Sequence, residues 1–131
     1  MLIYEYLFND SKLLGINWTE AKYSQYKISC NLEFYNSILN LSNFFGLFLK
    51  KSIIKKCVCK EVDFILSNLE SSIFESSDFP GSIFENTNLT NVDFRNAKNY
   101  NISTYTNKIH GSKFSFPEVI SLFKDLNIEI Y

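Results

Sequence analysis

Leu32-Glu33-Phe34-Tyr35-Asn36-Ser37-Ile38-Leu39-Asn40-Leu41-Ser42-Asn43-Phe44 opens a stretch, Leu32 to Arg95, in which a large apolar residue returns at every fifth position. These centres run Phe34, Leu39, Phe44, Leu49, Ile54, Cys59, Phe64, Leu69, Phe74, Phe79, Phe84, Leu89 and Phe94. With 46% of the chain apolar, thirteen apolar centres in fixed register would arise by chance roughly four times in 100,000. Two residues before most centres stands a small side chain: Ser37, Ser42, Ser52, Cys57, Val62, Ser67, Ser72, Ser77, Ser82, Thr87 and Val92.

A period of five excludes the simple elements. On an α-helix successive centres would drift by about 140° and never form one stripe. On a flat strand an odd period throws alternate centres onto opposite faces. What remains is a chain that turns regularly: centre−2 and centre point inward, centre−1 points outward, and centre+1 and centre+2 make a corner. Four corners close a square coil, so residues twenty apart must stack. The predicted columns are Phe34, Ile54, Phe74, Phe94 and Phe114; Phe44, Phe64 and Phe84; and Leu49, Leu69, Leu89 and Ile109. Coils about 4.8 Å apart bond backbone to backbone, giving an all-β solenoid stabilised by neighbour-on-neighbour contact.

This pattern resembles the pentapeptide repeat family, whose motif is a small residue, Asp or Asn, Leu or Phe, and two variable residues. Val62-Asp63-Phe64, Ser67-Asn68-Leu69, Ser77-Asp78-Phe79, Thr87-Asn88-Leu89 and Val92-Asp93-Phe94 carry the resemblance best. It implies a right-handed quadrilateral β-helix and covers nearly the whole chain.

The 131 residues are expected to form a single domain with shifted-phase repeats over 1–31, regular coils over 32–114, a helix over 115–126 and a tail over 127–131. The 13 Phe residues suit a narrow core of stacked rings. No apolar run approaches a membrane span and no basic segment precedes an apolar one near Met1, so a cytoplasmic protein is expected. Cys57 and Cys59 fall on inward positions and read as structural thiols, whereas Cys30 lies where the register is uncertain.

Before Leu32 the same period runs in another phase through Phe8, Leu13, Trp18, Tyr23 and Ile28, with Ser11, Ile16 and Ala21 two before. The step from Ile28 to Phe34 is six, so one extra residue is expected as a bulge or corner loop near Ser29 to Glu33. Tyr6 and Tyr26 are too large for a tight small-residue column. After Phe94 the centres become Asn99 and Thr104 before Ile109 and Phe114 restore the phase, which predicts an irregular coil from Ala97 to Lys108. Ser115-Phe116-Pro117-Glu118 has capping-box spacing with Pro in the first turn. Val119, Leu122, Phe123 and Leu126 then predict a short amphipathic α-helix capping the solenoid, with Ile128 and Ile130 alternating as a short strand.

The segment from Asn99 to Glu118 is similar to the C-terminus of the bacterial Qnr quinolone-resistance group of pentapeptide proteins. That resemblance implies a tail-to-tail homodimer through Phe116, Val119, Leu122, Phe123 and Leu126. It also implies a DNA mimic that binds DNA gyrase or topoisomerase IV and protects it from quinolones or toxins.

The residues themselves point away from an enzyme. His110 is a lone outward histidine, and Gly15, Gly46, Gly81 and Gly111 are too scattered to cradle a phosphate, so no catalytic, cofactor or metal site is expected. Charge is divided: Lys50, Lys51, Lys55, Lys56 and Lys60 precede an all-acidic stretch of Glu61, Asp63, Glu70, Glu75, Asp78, Glu85 and Asp93. Stacking sets Lys50 over Glu70, and Lys55, Glu75 and Arg95 in one column. The acids therefore serve either as cross-coil ion pairs worth a few tenths of a kcal/mol each or as a DNA-like surface that captures the electrostatic part of duplex binding. A different reading is a protein-interaction scaffold using exposed apolar columns: Phe45 and Ile65 with Leu66, Leu41 at the preceding corner, and Ile53 over Ile73. Direct nucleic-acid binding by the lysines lacks an aromatic stacking platform.

Overall fold

The centres stack as the period demands. In the computed structural model, which describes residues 4–20 and 30–131, parallel bridges join residues twenty apart: Ile38 to Val58 to Asp78 to Lys98, Asn43 to Asp63 to Ile83, and Phe48 to Asn68 to Asn88 to Lys108. The fourth column runs Glu33, Ile53, Ile73, Asp93, Lys113. Strands occur on this fourth side alone, as β1 (Tyr4–Asn9), β2 (Cys30–Tyr35), β3 (Ile53–Lys55), β4 (Asp93–Phe94) and β5 (Lys113–Phe114), while the described residues of the other sides join by isolated bridges. The sides are named here by their centres: face A through Phe34, Ile54, Phe74, Phe94 and Phe114; face B through Leu39, Cys59 and Phe79; face C through Phe44, Phe64 and Phe84; face D through Leu49, Leu69 and Leu89.

Inside, aromatic rings lie on one another. Along face C the Phe44 and Phe64 rings are 5.4 Å apart at 3° and the Phe64 and Phe84 rings 4.9 Å apart at 5°, and Phe94 stacks on Phe114 at 5.2 Å. The centres from Phe34 to Phe94 are all buried.

The small residues are small for a second reason, because most inward hydroxyls bridge two coils. Ser77 Oγ donates to the Ile54 carbonyl at 2.6 Å and accepts the Cys57 N–H at 3.0 Å. Ser72 and Ser82 repeat this geometry one unit before and after. Backbone groups that a turning chain cannot pair with itself are thereby satisfied without water. Outside, Asn or Asp at centre−1 accepts the N–H two residues on, as Asp63 does from Ile65 at 2.8 Å and Asn88 from Thr90 at 3.1 Å. These Asx turns fold the corners. Every centre+2 residue from Asn36 to Asn96 has positive φ, Leu41 at 63° and Leu66 at 59° among them.

The ends depart from the expectation. Strand β1 pairs in parallel with β2 in the register Phe8 to Phe34, and Lys12 to Ile38 and Asn17 to Asn43 keep that offset of 26 residues. The first coil is thus six residues longer than the regular coils of twenty. Of the stretch Ser29 to Glu33 where a bulge or corner loop is expected, Cys30 to Glu33 has none, since Cys30–Tyr35 is uninterrupted strand, and Ser29 lies outside the described residues. The expected centres Tyr23 and Ile28, with Ala21, Tyr26 and the Cys30 side chain, fall outside the described residues. Tyr6 is exposed, in keeping with its size.

In the last coil Asn99 and Thr104 are not the centres. Asn99 turns outward at φ 58° while Tyr100 and Ile102 are buried in their stead, Tyr100 packing 5.6 Å from both Phe94 and Phe114. Slipping by one residue buries the Tyr100 ring against Phe94 and Phe114 in place of the Asn99 amide, and this apolar contact outweighs a hydroxyl that is buried with no partner among the described residues. Asn107 restores the pattern by acting as an oversized serine: its Nδ2 donates to the Phe84 carbonyl at 2.9 Å and its Oδ1 accepts the Thr87 N–H at 3.0 Å.

The terminal helix, Glu118–Leu126, is a 3-10 helix rather than the expected α-helix. The capping box does not form, because Ser115 Oγ accepts the Asn96 N–H at 3.1 Å and Pro117 takes the cap position without a side-chain bond. With three residues per turn, positions three apart eclipse. Val119 and Leu122 accordingly pack on the core, whereas Ile120, Phe123 and Leu126 form a second, exposed row. Phe123 and Leu126 therefore do not cover the solenoid end as expected, and Ile128 and Ile130 are exposed without forming a strand.

Candidate interaction surface

Partner-binding candidates are outward positions, and the coil sorts them by face. Four of the seven acids singled out in the sequence have a cation at hand: Glu70 with Lys50 at 3.0 Å, Glu75 with Lys55 at 3.8 Å, Asp78 with Lys98 at 3.9 Å, and Asp93 with Arg95 at 2.8 Å. The Lys50 and Lys55 pairs are the cross-coil contacts that stacking predicts. Arg95 turns instead to Asp93 within its own unit, and this bidentate contact holds the Asp93 carboxyl below its ordinary range. Asp78 also accepts from Asn99 Nδ2 at 2.7 Å. All four pairs lie on faces A and B or at the corners that follow A and D.

Face C is different. The three remaining acids, Glu61, Asp63 and Glu85, lie on it or at its flanking corners, and among the described residues none forms an ion pair. Asp63 spends one carboxylate oxygen on the Ile65 N–H. Between Leu41 and Leu49, Glu61 and Leu69, and Gly81 and Leu89, the segments that form this face in three successive coils, the sequence has no lysine or arginine. Lys60 stands on the face-B side of the shared corner.

The same face carries the apolar candidates. Leu41 (60% exposed), Phe45 (45%) and Leu66 (52%) project at its two corners, with Ile65 half-buried between Phe45 and Leu66. Ile83, which sequence reasoning did not single out, is exposed on the same face one coil further on; its centre−1 position and the stacking on Asp63 were the available signal. Ile53 and Ile73 do stack, but on face A beside the paired charges.

Two shallow depressions adjoin this surface where the chain from Tyr100 to Thr106 leaves the square path. One, about 430 Å³, is lined by Gly81, Ile83, Glu85, Asn101, Ser103 and Thr106. The other, about 350 Å³, lies around the corner between Leu66, Asn86 and Lys108.

The remaining candidates stay apart. His110 is exposed, and among the described residues no cluster of histidine, cysteine or acid could hold a metal. Burial pushes the Cys57 thiol up to about 11, and Cys59 is raised well above its ordinary value for the same reason. No helix among the described residues is long and apolar enough to cross a membrane. At the C-terminal end Phe116 (82% exposed), Ile120, Phe123 and Leu126 present a second apolar surface, latched to the irregular coil by Lys124 Nζ donating to the Ile102 carbonyl at 2.9 Å and Tyr105 Oη to the Asp125 carbonyl at 3.0 Å.

Residues 57–96 match the family model for pentapeptide repeats, in eight copies. Among solved structures, a trypsin-treated form of QnrB1, a plasmid-mediated fluoroquinolone resistance protein, aligns with a TM-score of 0.51 at 20% identity, over 95% of this chain and 58% of that one. A pentapeptide repeat protein of the Arabidopsis thaliana thylakoid lumen aligns with a TM-score of 0.42 at 19% identity, over 79% of this chain and 61% of that one. This chain thus spans less than two thirds of the length of either. No curated protein matches it in sequence. The likeness to QnrB1 is one of fold, and with the repeat match it implies the right-handed quadrilateral β-helix.

Proposed function

We propose that this chain, a pentapeptide repeat protein, is a non-catalytic binding rod that holds a partner protein along its side. The observation that carries the reading is the gathering of Leu41, Phe45, Ile65 and Leu66 at the edges of one face while the ring core is complete without them. Such a patch on a solenoid is a contact surface. The nucleophilic groups are committed elsewhere: the serine hydroxyls tie coils together and the described thiols are buried and protonated. The test is partner recovery with Phe45→Glu combined with Ile65→Lys. Loss of the partner with an unchanged thermal midpoint supports the scaffold, and full recovery removes it.

A second reading is the DNA mimic of gyrase or topoisomerase IV, which the common fold with QnrB1 and the unpaired Glu61 and Glu85 favour. It is the weaker of the two, because four of the seven acids are neutralised by lysine or arginine, which cuts the field that a duplex-binding groove would sense. Supercoiling assays with and without a quinolone decide it. Absence of both inhibition and protection at about micromolar protein, a concentration at which specific complexes of ordinary affinity are populated, ends the mimic reading.

The exposed row Ile120, Phe123 and Leu126, with Phe116, supports a homodimer through the C-terminal end. Light scattering reads that state directly.

A further inference from the structure

We infer that face C docks a cationic amphipathic segment of the partner, whose lysine or arginine side chains meet Glu61 and Glu85 while its apolar side chains cover Phe45, Ile65 and Leu66. The inference rests on the scaffold reading and adds the chemistry of the partner.

Sorting of charge by face is the first ground. On faces A and B and at the corners that follow A and D, four acids stand within 4.0 Å of a cation, and Glu33 on face A accepts the Tyr35 hydroxyl at 2.9 Å. On face C and its corners three acids in two adjacent coils have no cation, and the three segments that build it contain no basic residue. A partner that covered this face without cations would desolvate Glu61 and Glu85 with no compensation, and an acidic one would add repulsion. A cationic one gains at both positions.

Backbone strain is the second ground. The corner position at centre+2 is left-handed in every unit, and glycine, asparagine, serine, lysine or glutamate occupies it elsewhere from Asn36 to Asn96. Leucine occurs there twice, at Leu41 and Leu66, the two corners that flank face C. A leucine at positive φ is disfavoured by its Cβ, and each of these also exposes its side chain to water. Neither position helps the fold, so a contact outside the fold accounts for the choice.

Shape agrees. Phe45, Ile65 and Glu85 occupy equivalent corner positions in successive coils, so they span about 10 Å at the usual strand spacing, the length of about two helical turns. At the far end of that line the depression of about 430 Å³ beside Ile83 and Glu85 gives a long basic side chain room to lie with its head at the carboxylate.

The test uses two fluorescein-labelled helical peptides of about 14 residues, long enough to cover the face, one built of leucine and lysine and the other of leucine and glutamate. Anisotropy is read on the intact protein, on Glu61→Gln with Glu85→Gln, and on Glu70→Gln with Glu75→Gln, which removes two paired acids. The leucine-lysine peptide should bind, the face-C pair of substitutions should weaken it about tenfold, and the control pair less than about twofold. Phe45→Ser with Leu66→Asn should weaken it as well, and roughly 0.5 M NaCl should reduce but not abolish binding. No binding of the leucine-lysine peptide, equal losses from both acid pairs, or equal binding of the leucine-glutamate peptide overturns the inference. In the last case, sensitivity to Phe45→Ser with Leu66→Asn leaves the scaffold standing without its cationic partner. If partner recovery also survives Phe45→Glu with Ile65→Lys, the scaffold falls too.

Discussion

Ser77 and Ser52 occupy equivalent places on the coil, one two residues before Phe79 and the other two before Ile54, and they should respond oppositely to the same substitution. Ser77→Ala strands the Cys57 N–H and the Ile54 carbonyl in a dry core, a loss of about 1–3 kcal/mol. Ser52 Oγ is buried with no hydrogen-bond partner among the described residues; the carbonyl that the pattern assigns to it, at Ser29, lies outside them. Ser52→Ala should therefore be neutral or slightly stabilising, and urea midpoints of the two variants compare them directly. Corner strain gives a second residue-level prediction. Leu66→Asn keeps φ near 59° with a residue that tolerates it and should raise stability by up to about 1 kcal/mol even as it weakens partner capture, a separation that a purely structural leucine would not give. Titration supplies a third. Burial raises the Cys57 thiol from 9.0 to about 11 and the Tyr100 hydroxyl from 10.0 to about 12. Both are neutral when protonated, so the unfolded chain ionises first and the folded state loses ground as pH rises. Their contribution is whole below pH 9.0, falls between 9.0 and about 11 through Cys57 and between 10.0 and about 12 through Tyr100. Cys57→Ser, the residue that stacks on it at Ser77, should reduce the alkaline slope in thermal melts and leave the part that the buried Cys59 thiol contributes from the same starting pH.

At the level of elements, the terminal 3-10 helix has two rows with different tasks. Leu122 is buried against the last coil, so Leu122→Ala should cost about 2–4 kcal/mol. Phe123→Asp with Leu126→Asp alters only the outer row; it should leave the thermal midpoint within a few degrees of the parent and convert a dimer to a monomer by light scattering. A parent that is already monomeric removes the dimer proposal. This helix also marks where the sequence could and could not be read. The columns of Phe34, Phe44 and Leu49 were legible because one side chain in five decides each turn, and the buried serines followed from the same count. What failed were features with competing solutions. Val119, Leu122, Phe123 and Leu126 fit an α-helical stripe, but the Ser115 hydroxyl that would have capped it bonds to Asn96. Asn99 and Tyr100 were equally available to the core, and only the neighbouring Phe94 and Phe114 rings select tyrosine. The first coil keeps its period-five pattern through its whole length, so a complete extra unit leaves the phase looking shifted by one. Pairing of ions was half legible: Lys50 with Glu70 follows from stacking, whereas the flexible Arg95 reaches back to Asp93 rather than onward to Glu75. Glu61, Asp63 and Glu85 are left without a cation on one side of two adjacent coils, which no count along the sequence displays without assigning faces.

For the molecule as a whole, the controlling fact is that each coil touches only its neighbours, so the rod should tolerate the loss of one whole coil but not of one side. Removing residues 57–76 joins Lys56 to Ser77, two positions that are already equivalent, since the Cys57 N–H is bonded to Ser77 and Lys56 and Ser76 share the left-handed corner. Phe44 then meets Phe84, Leu49 meets Leu89 and Ile54 meets Phe94, so each face keeps its kind of centre. Costs are local: Lys50 and Lys55 lose Glu70 and Glu75, and Lys55 comes to lie over Arg95, together worth on the order of 1 kcal/mol at the surface. The shortened protein should unfold in one cooperative step at a reduced midpoint, with a smaller urea dependence that reflects the area of one missing coil. Removing only residues 62–66 takes out a quarter coil and rotates everything that follows by one face. Leu69 is then presented to Phe44 and Phe74 to Leu49, the ring stacks that cross the cut are broken, and the bridging serines beyond it face carbonyls displaced by a corner. That variant should lose its cooperative transition altogether. If the two deletions are equally tolerated, or if removal of a full coil proves the more damaging, twenty residues are not the repeating unit of this fold and the assignment of Glu61, Glu85, Phe45 and Leu66 to a common face fails with it.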